Sequence, residues 1–319
     1  MTNSRLILNP VSGTDAAPDY LQAINERLRE AFGRLDITMT VAPGDATRLA
    51  EEAARAGCER LFVAGGDGTL NEALNGVARV EGALERVVFG LIPLGTGNDF
   101  AQALGLPEDV DEAVRILVEG REVRADVGAL GGRHFVNVSA GGFIAEVSDA
   151  VNPQLKTVAG KLAYLIGGAQ VLLDFEPVRA LMRVGGVRAA GGESRWAHER
   201  ELGVQMFAVC NSRMVGGGRL IAPHALIDDG LLDVCIVEEM PTLEFLSLLS
   251  SVPAGDHIED ERVSYFRARE LDIEFERAVK VNTDGEVLEA DRCTYTTRAR
   301  AARFLAGAAP YASGGTNEA

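Results

Sequence analysis

Residues 1 to about 127 alternate short apolar runs with amphipathic stretches. Residues 5–8, 37–41, 60–64 and 87–92 are rich in Leu, Ile and Val and read as strands apolar on both faces. Residues 19–32, 46–56, 70–80 and 110–119 place their apolar side chains at helical spacing. Strands apolar on both faces, alternating with helices, predict a doubly wound, mainly parallel α/β domain over residues 1–127.

After Asp126 the texture changes. Residues 134–139, 179–184, 202–210, 231–237, 271–275 and 279–282 read as strands joined by Gly-rich or charged turns. Helices are expected over 160–173 and 242–250, and surface loops at Pro153 and over 185–201. This pattern predicts a β-sandwich domain over 128–307, whose last strand is able to return to the first domain. The Ala, Gly, Ser, Thr and Asn of residues 308–319 predict a disordered tail.

Composition narrows the function. The chain has 319 residues, above the usual size of a single core, and 47% apolar with 24% charged residues excludes disorder. A net charge of −16 speaks against a nucleic-acid partner, whose phosphates need a basic footprint. The same charge makes any contact with anionic lipid local. Arg supplies nearly all the positive charge, so Lys156 and Lys161 stand out. Cys58, Cys210, Cys235 and Cys293 are scattered and read as buried thiols of a reducing compartment. The four histidines lack ligand spacing. The short apolar start is no signal peptide, and no apolar run is long enough for a bilayer. A cytoplasmic protein is expected.

Two segments carry the chemistry. In Leu61-Phe62-Val63-Ala64-Gly65-Gly66-Asp67-Gly68-Thr69-Leu70-Asn71, a buried strand runs into a glycine turn and then a helix. Glycines let backbone N–H groups approach phosphate oxygens, and the helix start adds unpaired donors. Asp67 suits either of two roles, holding Mg²⁺ or organising the loop. Gly90-Leu91-Ile92-Pro93-Leu94-Gly95-Thr96-Gly97-Asn98-Asp99-Phe100 repeats the design. Neither segment matches the Walker or dinucleotide pattern. With Asn9-Pro10-Val11-Ser12-Gly13 and Thr40, four strand ends are expected to converge on one nucleotide-sized crevice.

At these residues the chain resembles the bacterial diacylglycerol kinase family, specifically its soluble YegS-like lipid kinases, which share a catalytic domain type with sphingosine and ceramide kinases. The resemblance continues through Gly216-Gly217-Gly218, through residues 223–233 and through Thr283-Asp284-Gly285-Glu286, and it reaches about Leu305. It implies ATP contacts at Thr40, Gly65, Gly66, Asp67, Gly68, Thr69, Leu70, Asn71 and Thr96. It implies a structural Mg²⁺ on the Asp229 carboxylate and the carbonyls of Leu226 and Leu231. Read alone, Asp228-Asp229-Gly230 is first a turn. The general base for a lipid hydroxyl is implied at the Asp-Gly-Glu triplet, with Glu286 ahead of Asp284. The implied partner is a membrane lipid, met by peripheral contact at the inner membrane face, and an oligomer is compatible with the sequence. Relatives can carry a basic residue where this chain has Gln102, which leaves headgroup choice open; Lys161 is an alternative source of that charge. The helix expected over 160–173 suits either an acyl-chain groove or core packing. An NAD kinase shares only the Gly-Gly-Asp-Gly-Thr block, and a non-catalytic nucleotide- or lipid-binding module is the other alternative.

Overall fold

The computed structural model describes residues 3–13, 17–150, 175–185, 196–307 and 311–312. Strands β1 (Ser4–Leu8), β2 (Leu35–Met39), β3 (Arg60–Gly65) and β4 (Val88–Pro93) run parallel in the order β2-β1-β3-β4. Helices α1 (Ala17–Phe32), α2 (Asp45–Arg55), α3 (Asp67–Ala78), α4 (Ala83–Arg86), α5 (Asp99–Ala103) and α6 (Val110–Glu119) link and cover them. α2 shows why the pattern folds this way. Ala46, Leu49, Ala50, Ala53 and Ala54 form one buried stripe at spacings of three and four, and the charged face stays in water. Because the strands are parallel, Asn9, Thr40, Gly66 and Leu94 all follow strand ends on the same edge.

The second part contains β5 (Arg121–Leu130), β6 (Arg133–Phe135), β7 (Val138–Gly142), α7 (Phe143–Ala150), β8 (Val178–Gly185) and β9 (Trp196–Cys210). After these come β10 (Met214–Val215), β11 (Arg219–Leu220), β12 (Leu232–Glu238), α8 (Thr242–Ser251), β13 (Val263–Ala268), β14 (Glu270–Thr283) and β15 (Glu286–Ala306). β10 and β11 pair apart; the other strands join one 13-stranded sheet, whose main path is β13-β12-β9-β7-β14-β15-β4-β3-β1-β2. The sandwich-like layering comes from long strands that change partner. β9 and β14 each pair with β8 over one stretch and with β7 over another. One apolar core holds Phe135, Phe207, Phe275 and Tyr295, and another packs Phe143, Phe245 and Leu248 beneath α7 and α8.

β15 ties the two parts together. It leaves β14, pairs with β5, and ends parallel to β4, with Arg303 opposite Val88 and Phe304 opposite Phe89. Phe304 there stacks on Phe89 at 5.3 Å and meets Phe100 edge-on at 5.0 Å.

Several sequence expectations change. The strand expected over 134–139 is two strands, because the backbone N–H groups of Val136 and Asn137 bind the Asp284 carboxylate instead of a neighbouring strand. The strands expected over 271–275 and 279–282 are one strand, β14, with an irregularity between Glu274 and Val279. Residues 196–201 extend β9 and are no surface loop. β5, α7 and β13 carry no expectation above, and Val127 lies within β5. The tail expectation fails at Tyr311 and Ala312: Tyr311 accepts a bond from the Ile227 N–H and lies under the Arg213 guanidinium, and Ala312 is buried. The helix over 160–173, with Lys161, and the loop at Pro153 lie outside the described residues. Among the described residues no helix is long and apolar enough to cross a membrane.

Candidate active site

Three loops meet backbone to backbone at the carboxyl edge of the parallel strands. Gly66 is the N-cap of α3, and no side chain caps that helix, so its first-turn N–H groups lack a protein cap. A Cβ on Gly95 would lie 2.5 Å from the Gly66 Cα, and one on Gly13 would lie 2.2 Å from the Leu94 carbonyl oxygen. Only glycine permits such approach. Leu94 N donates to the Gly65 carbonyl at 3.1 Å, and Asn9 Nδ2 donates to Thr69 Oγ1 at 3.0 Å. An uncapped helix start framed by bare backbone is suited to an anion such as a phosphate.

The sequence-predicted nucleotide contacts gather here with different orientations. Gly65, Gly66, Asp67, Gly68 and Thr69 form the turn into α3. Thr40 is buried at the end of β2, its N–H bound to the Leu8 carbonyl at 2.9 Å. Thr96 is exposed on the loop after β4. Leu70 is fully buried in the core with its N–H bound to the Gly66 carbonyl. Asn71 is buried too, and its Oδ1 accepts from Asn75 Nδ2 at 3.1 Å.

The Asp67 carboxylate is tied into the neighbouring loops. Its Oδ2 accepts from Asp99 N at 3.0 Å; its Oδ1 accepts from Phe100 N at 3.0 Å and from Asn137 Nδ2 at 3.1 Å. It therefore caps α5 and fastens the fourth-strand loop to the third. Asp99 continues the chain of bonds, accepting from Gly217 N at 3.1 Å and Gly218 N at 2.9 Å. Burial, and next the Asp67 charge, pushes the Asp99 carboxyl above its ordinary value.

The Asp-Gly-Glu triplet forms the turn between β14 and β15, with Asp284 at φ 45° and Gly285 at φ 96°, as a type I′ hairpin requires. The turn separates its two acids. Asp284 is only 8% exposed, and its carboxylate accepts from Val136 N at 2.8 Å, Asn137 N at 3.2 Å and Val138 N at 2.8 Å. Burial pushes this carboxyl up to about 7, against the opposing pull of those three donors. The Glu286 side chain is 44% exposed and forms an ion pair with Arg133. Glu286 and Arg133 line a cavity of about 420 Å³, together with Thr47, Asn75, Arg79 and His134. Asn75 clasps the facing strand: its Nδ2 donates to the His134 carbonyl, and its Oδ1 accepts from His134 N, both at 2.9 Å.

The turn carrying Leu226, Asp229 and Leu231 lies at the entry to β12. Asp229 Oδ1 accepts from Leu231 N at 3.0 Å, whereas the buried Asp229 Oδ2 has no hydrogen-bond partner, the Arg267 guanidinium being 3.7 Å away. Asp126 braces the turn by accepting from Gly230 N and Arg300 N, both at 2.6 Å. Burial pushes both carboxyls up. A buried carboxylate oxygen with no hydrogen bond fits a hard cation. Among the described residues no group of three His, Cys, Asp or Glu side chains could hold a metal, so such a site would rest on one carboxylate and backbone carbonyls. The turn joins the rest of the site through Asn211, whose Nδ2 donates to the carbonyls of Asp126 at 3.1 Å and Val136 at 3.0 Å.

Asp99 enters sequence reasoning only as part of the second loop, and Asn75, Asp126, Arg133 and Asn137 escaped it. Only Asn75 left a signal, a polar residue one helical turn beyond Asn71; the others are recruited from distant segments.

Residues 3–130 match the diacylglycerol kinase catalytic domain, and residues 137–306 match the YegS C-terminal NAD kinase beta sandwich-like domain. The diacylglycerol kinase of Bacillus subtilis (strain 168) is 32% identical over 287 residues, 90% of each chain. A protein of Chromohalobacter salexigens named "Probable lipid kinase YegS-like" is 36% identical over 286 residues, 88% of this chain and 86% of that one. The crystal structure of a diacylglycerol kinase from Bacillus anthracis str. Sterne superposes with a TM-score of 0.72 at 25% identity, over 96% of this chain and 97% of that one. The catalytic-domain match together with these relatives makes the protein a lipid kinase. The chain belongs to the diacylglycerol kinase family.

Proposed function

We propose that this protein transfers the γ-phosphoryl group of Mg·ATP to the hydroxyl of a membrane lipid, diacylglycerol, phosphatidylglycerol or a similar acceptor. One observation carries the reading. The uncapped start of α3 and the turn that presents Glu286 are joined through a single residue, Asn137, bonded to Asp67 on one side and Asp284 on the other. A phosphate site and a carboxylate on separate domains are thereby held in fixed relation. The names of the relatives support the acceptor class.

In this reading the N–H groups of the Gly65–Thr69 turn hold the triphosphate, with Thr40 and Thr96 at its margins. Phosphoryl transfer depends on positioning and charge neutralisation more than on covalent help. The lipid hydroxyl oxygen attacks the γ-phosphorus, the bond to the β–γ bridging oxygen breaks and ADP leaves, and the hydroxyl proton passes to the Glu286 carboxylate. Asp284, with both oxygens held by N–H donors, fixes the turn and takes no proton from substrate. Leu226, Asp229 and Leu231 would hold Mg²⁺, which supplies countercharge to the acidic turn. The lipid is met at the cytoplasmic membrane face by peripheral contact.

The test offers labelled ATP, Mg²⁺ and mixed lipids, with NAD in a parallel tube, and then extracts with organic solvent. Label in the organic phase supports the proposal; label only in NADP overturns it. The metal assignment has its own readout. Mg²⁺ at about 100 times its Kd stabilises a one-site protein by about 2.7 kcal/mol. The melting temperature of the wild type therefore rises with Mg²⁺, and that of Asp229→Ala does not; an equal rise in both removes Asp229 from the site.

A further inference from the structure

Asn137 lies in the two-residue break between β6 and β7, is only 4% exposed, and is bonded on every side. Its N–H donates to Asp284 Oδ2 at 3.2 Å, and its side-chain Nδ2 donates to Asp67 Oδ1 at 3.1 Å. Its side-chain Oδ1 accepts from Ser212 Oγ at 2.8 Å, and its carbonyl accepts from Asn211 N at 2.8 Å. Three segments therefore meet on one amide residue. Two of them matter for chemistry: Asp67 opens α3, and Asp284 sits two residues before Glu286. The same stretch is fastened to α3 a second time, where Asn75 clasps His134. Asp67 and Asn75 are eight positions apart, roughly 12 Å along a helix. His134 and Asn137 are three apart, roughly 10 Å along extended chain. The stretch thus lies as a splint along two turns of α3.

We infer that Asn137 is a positioning residue that sets the distance between the phosphate loop and Glu286, and that nucleotide binding at the loop is felt at the Glu286 turn through its side chain. The inference rests on the proposed phosphoryl-transfer reading for its catalytic consequence, and on the hydrogen bonds alone for the coupling. The fold of the stretch itself does not depend on the Nδ2–Asp67 bond, because Asp284, Asn211 and Ser212 already hold its backbone. That bond crosses from the second domain to the residue that opens α3, whereas the Asn75–His134 clasp crosses two turns further along the helix.

The variant is Asn137→Leu, of similar volume and without donors. A misplacement of 1 Å at a reacting centre costs about 10²-fold in rate. Asn137→Leu therefore lowers kcat for lipid phosphorylation by about 10- to 100-fold, while KM for ATP stays within twofold. Hydrogen exchange supplies the readout that a merely structural role would not move. In the wild type, ADP slows amide exchange both over 66–71 and over 284–286. In Asn137→Leu, protection persists over 66–71 and disappears over 284–286. Ser212→Ala, which leaves both Asn137 bonds in place but frees its amide oxygen, gives a weaker form of the same split and decides the matter if Asn137→Leu does not fold. Unchanged kcat with undiminished protection over 284–286 in the folded variant overturns the inference. A wild type that transmits protection to 284–286 but labels no lipid overturns the lipid reading and leaves the coupling standing.

Discussion

Glu286→Gln lowers kcat for lipid phosphorylation by about 10²–10⁴-fold, the usual contribution of a positioned base, and leaves KM for ATP within about twofold. Gln matches Glu in shape and keeps an oxygen for Arg133, so the turn and the cavity persist. What it loses is the ability to take a proton. The nearby acid cannot substitute, because Asp284 is buried with both carboxylate oxygens held by backbone N–H groups. ATP affinity is spared because the glycine loops belong to the other domain. The check is a steady-state assay with saturating lipid. Turnover within threefold of wild type would strip Glu286 of the role.

Asp284→Ala acts on stability. It leaves the N–H groups of Val136, Asn137 and Val138 without their acceptor in a buried site. An unsatisfied buried donor costs about 1–3 kcal/mol; allowing for relaxation, the variant loses about 3–5 kcal/mol, and thermal melting should show a fall of about 10 °C. A wild-type melting temperature would contradict the placement of this side chain. The group also sets a pH slope. Its folded pKa of about 7 lies above the ordinary 3.8, so between those values the folded protein binds the proton that the unfolded chain has released. The contribution of Asp284 to stability is thus complete below about pH 4 and declines as pH rises toward 7. In Asp284→Asn that part of the slope vanishes, and chemical denaturation at pH 4.5 and 7 measures the difference.

The two acids of one triplet show where sequence reading stops. Two positions separate Asp284 from Glu286, a spacing that would put both on one face of a strand. The positive φ of Asp284 and Gly285 reverses the chain between them, so one acid enters the protein and the other faces the cavity. β14 and β15 were obscured for a related reason. The charged Glu276 and Arg277 of β14 and the αL residue Arg300 of β15 mark irregularities that break the alternation by which strands are recognised.

Local order was available from the amino-acid sequence alone, because periodic burial and glycine turns are properties of neighbours along the chain. It specified α2, α6, the parallel strands and the loops at Gly65 and Gly95. Partnership between distant segments was not: Asp67 meets Asp99 32 positions away and Asn137 70 positions away. Such contacts exist only after the sheet has brought strand ends together, and so tertiary structure alone decided that Asp67 is bonded to the loop after β4, that Asp284 is buried, and that Glu286 faces the cavity.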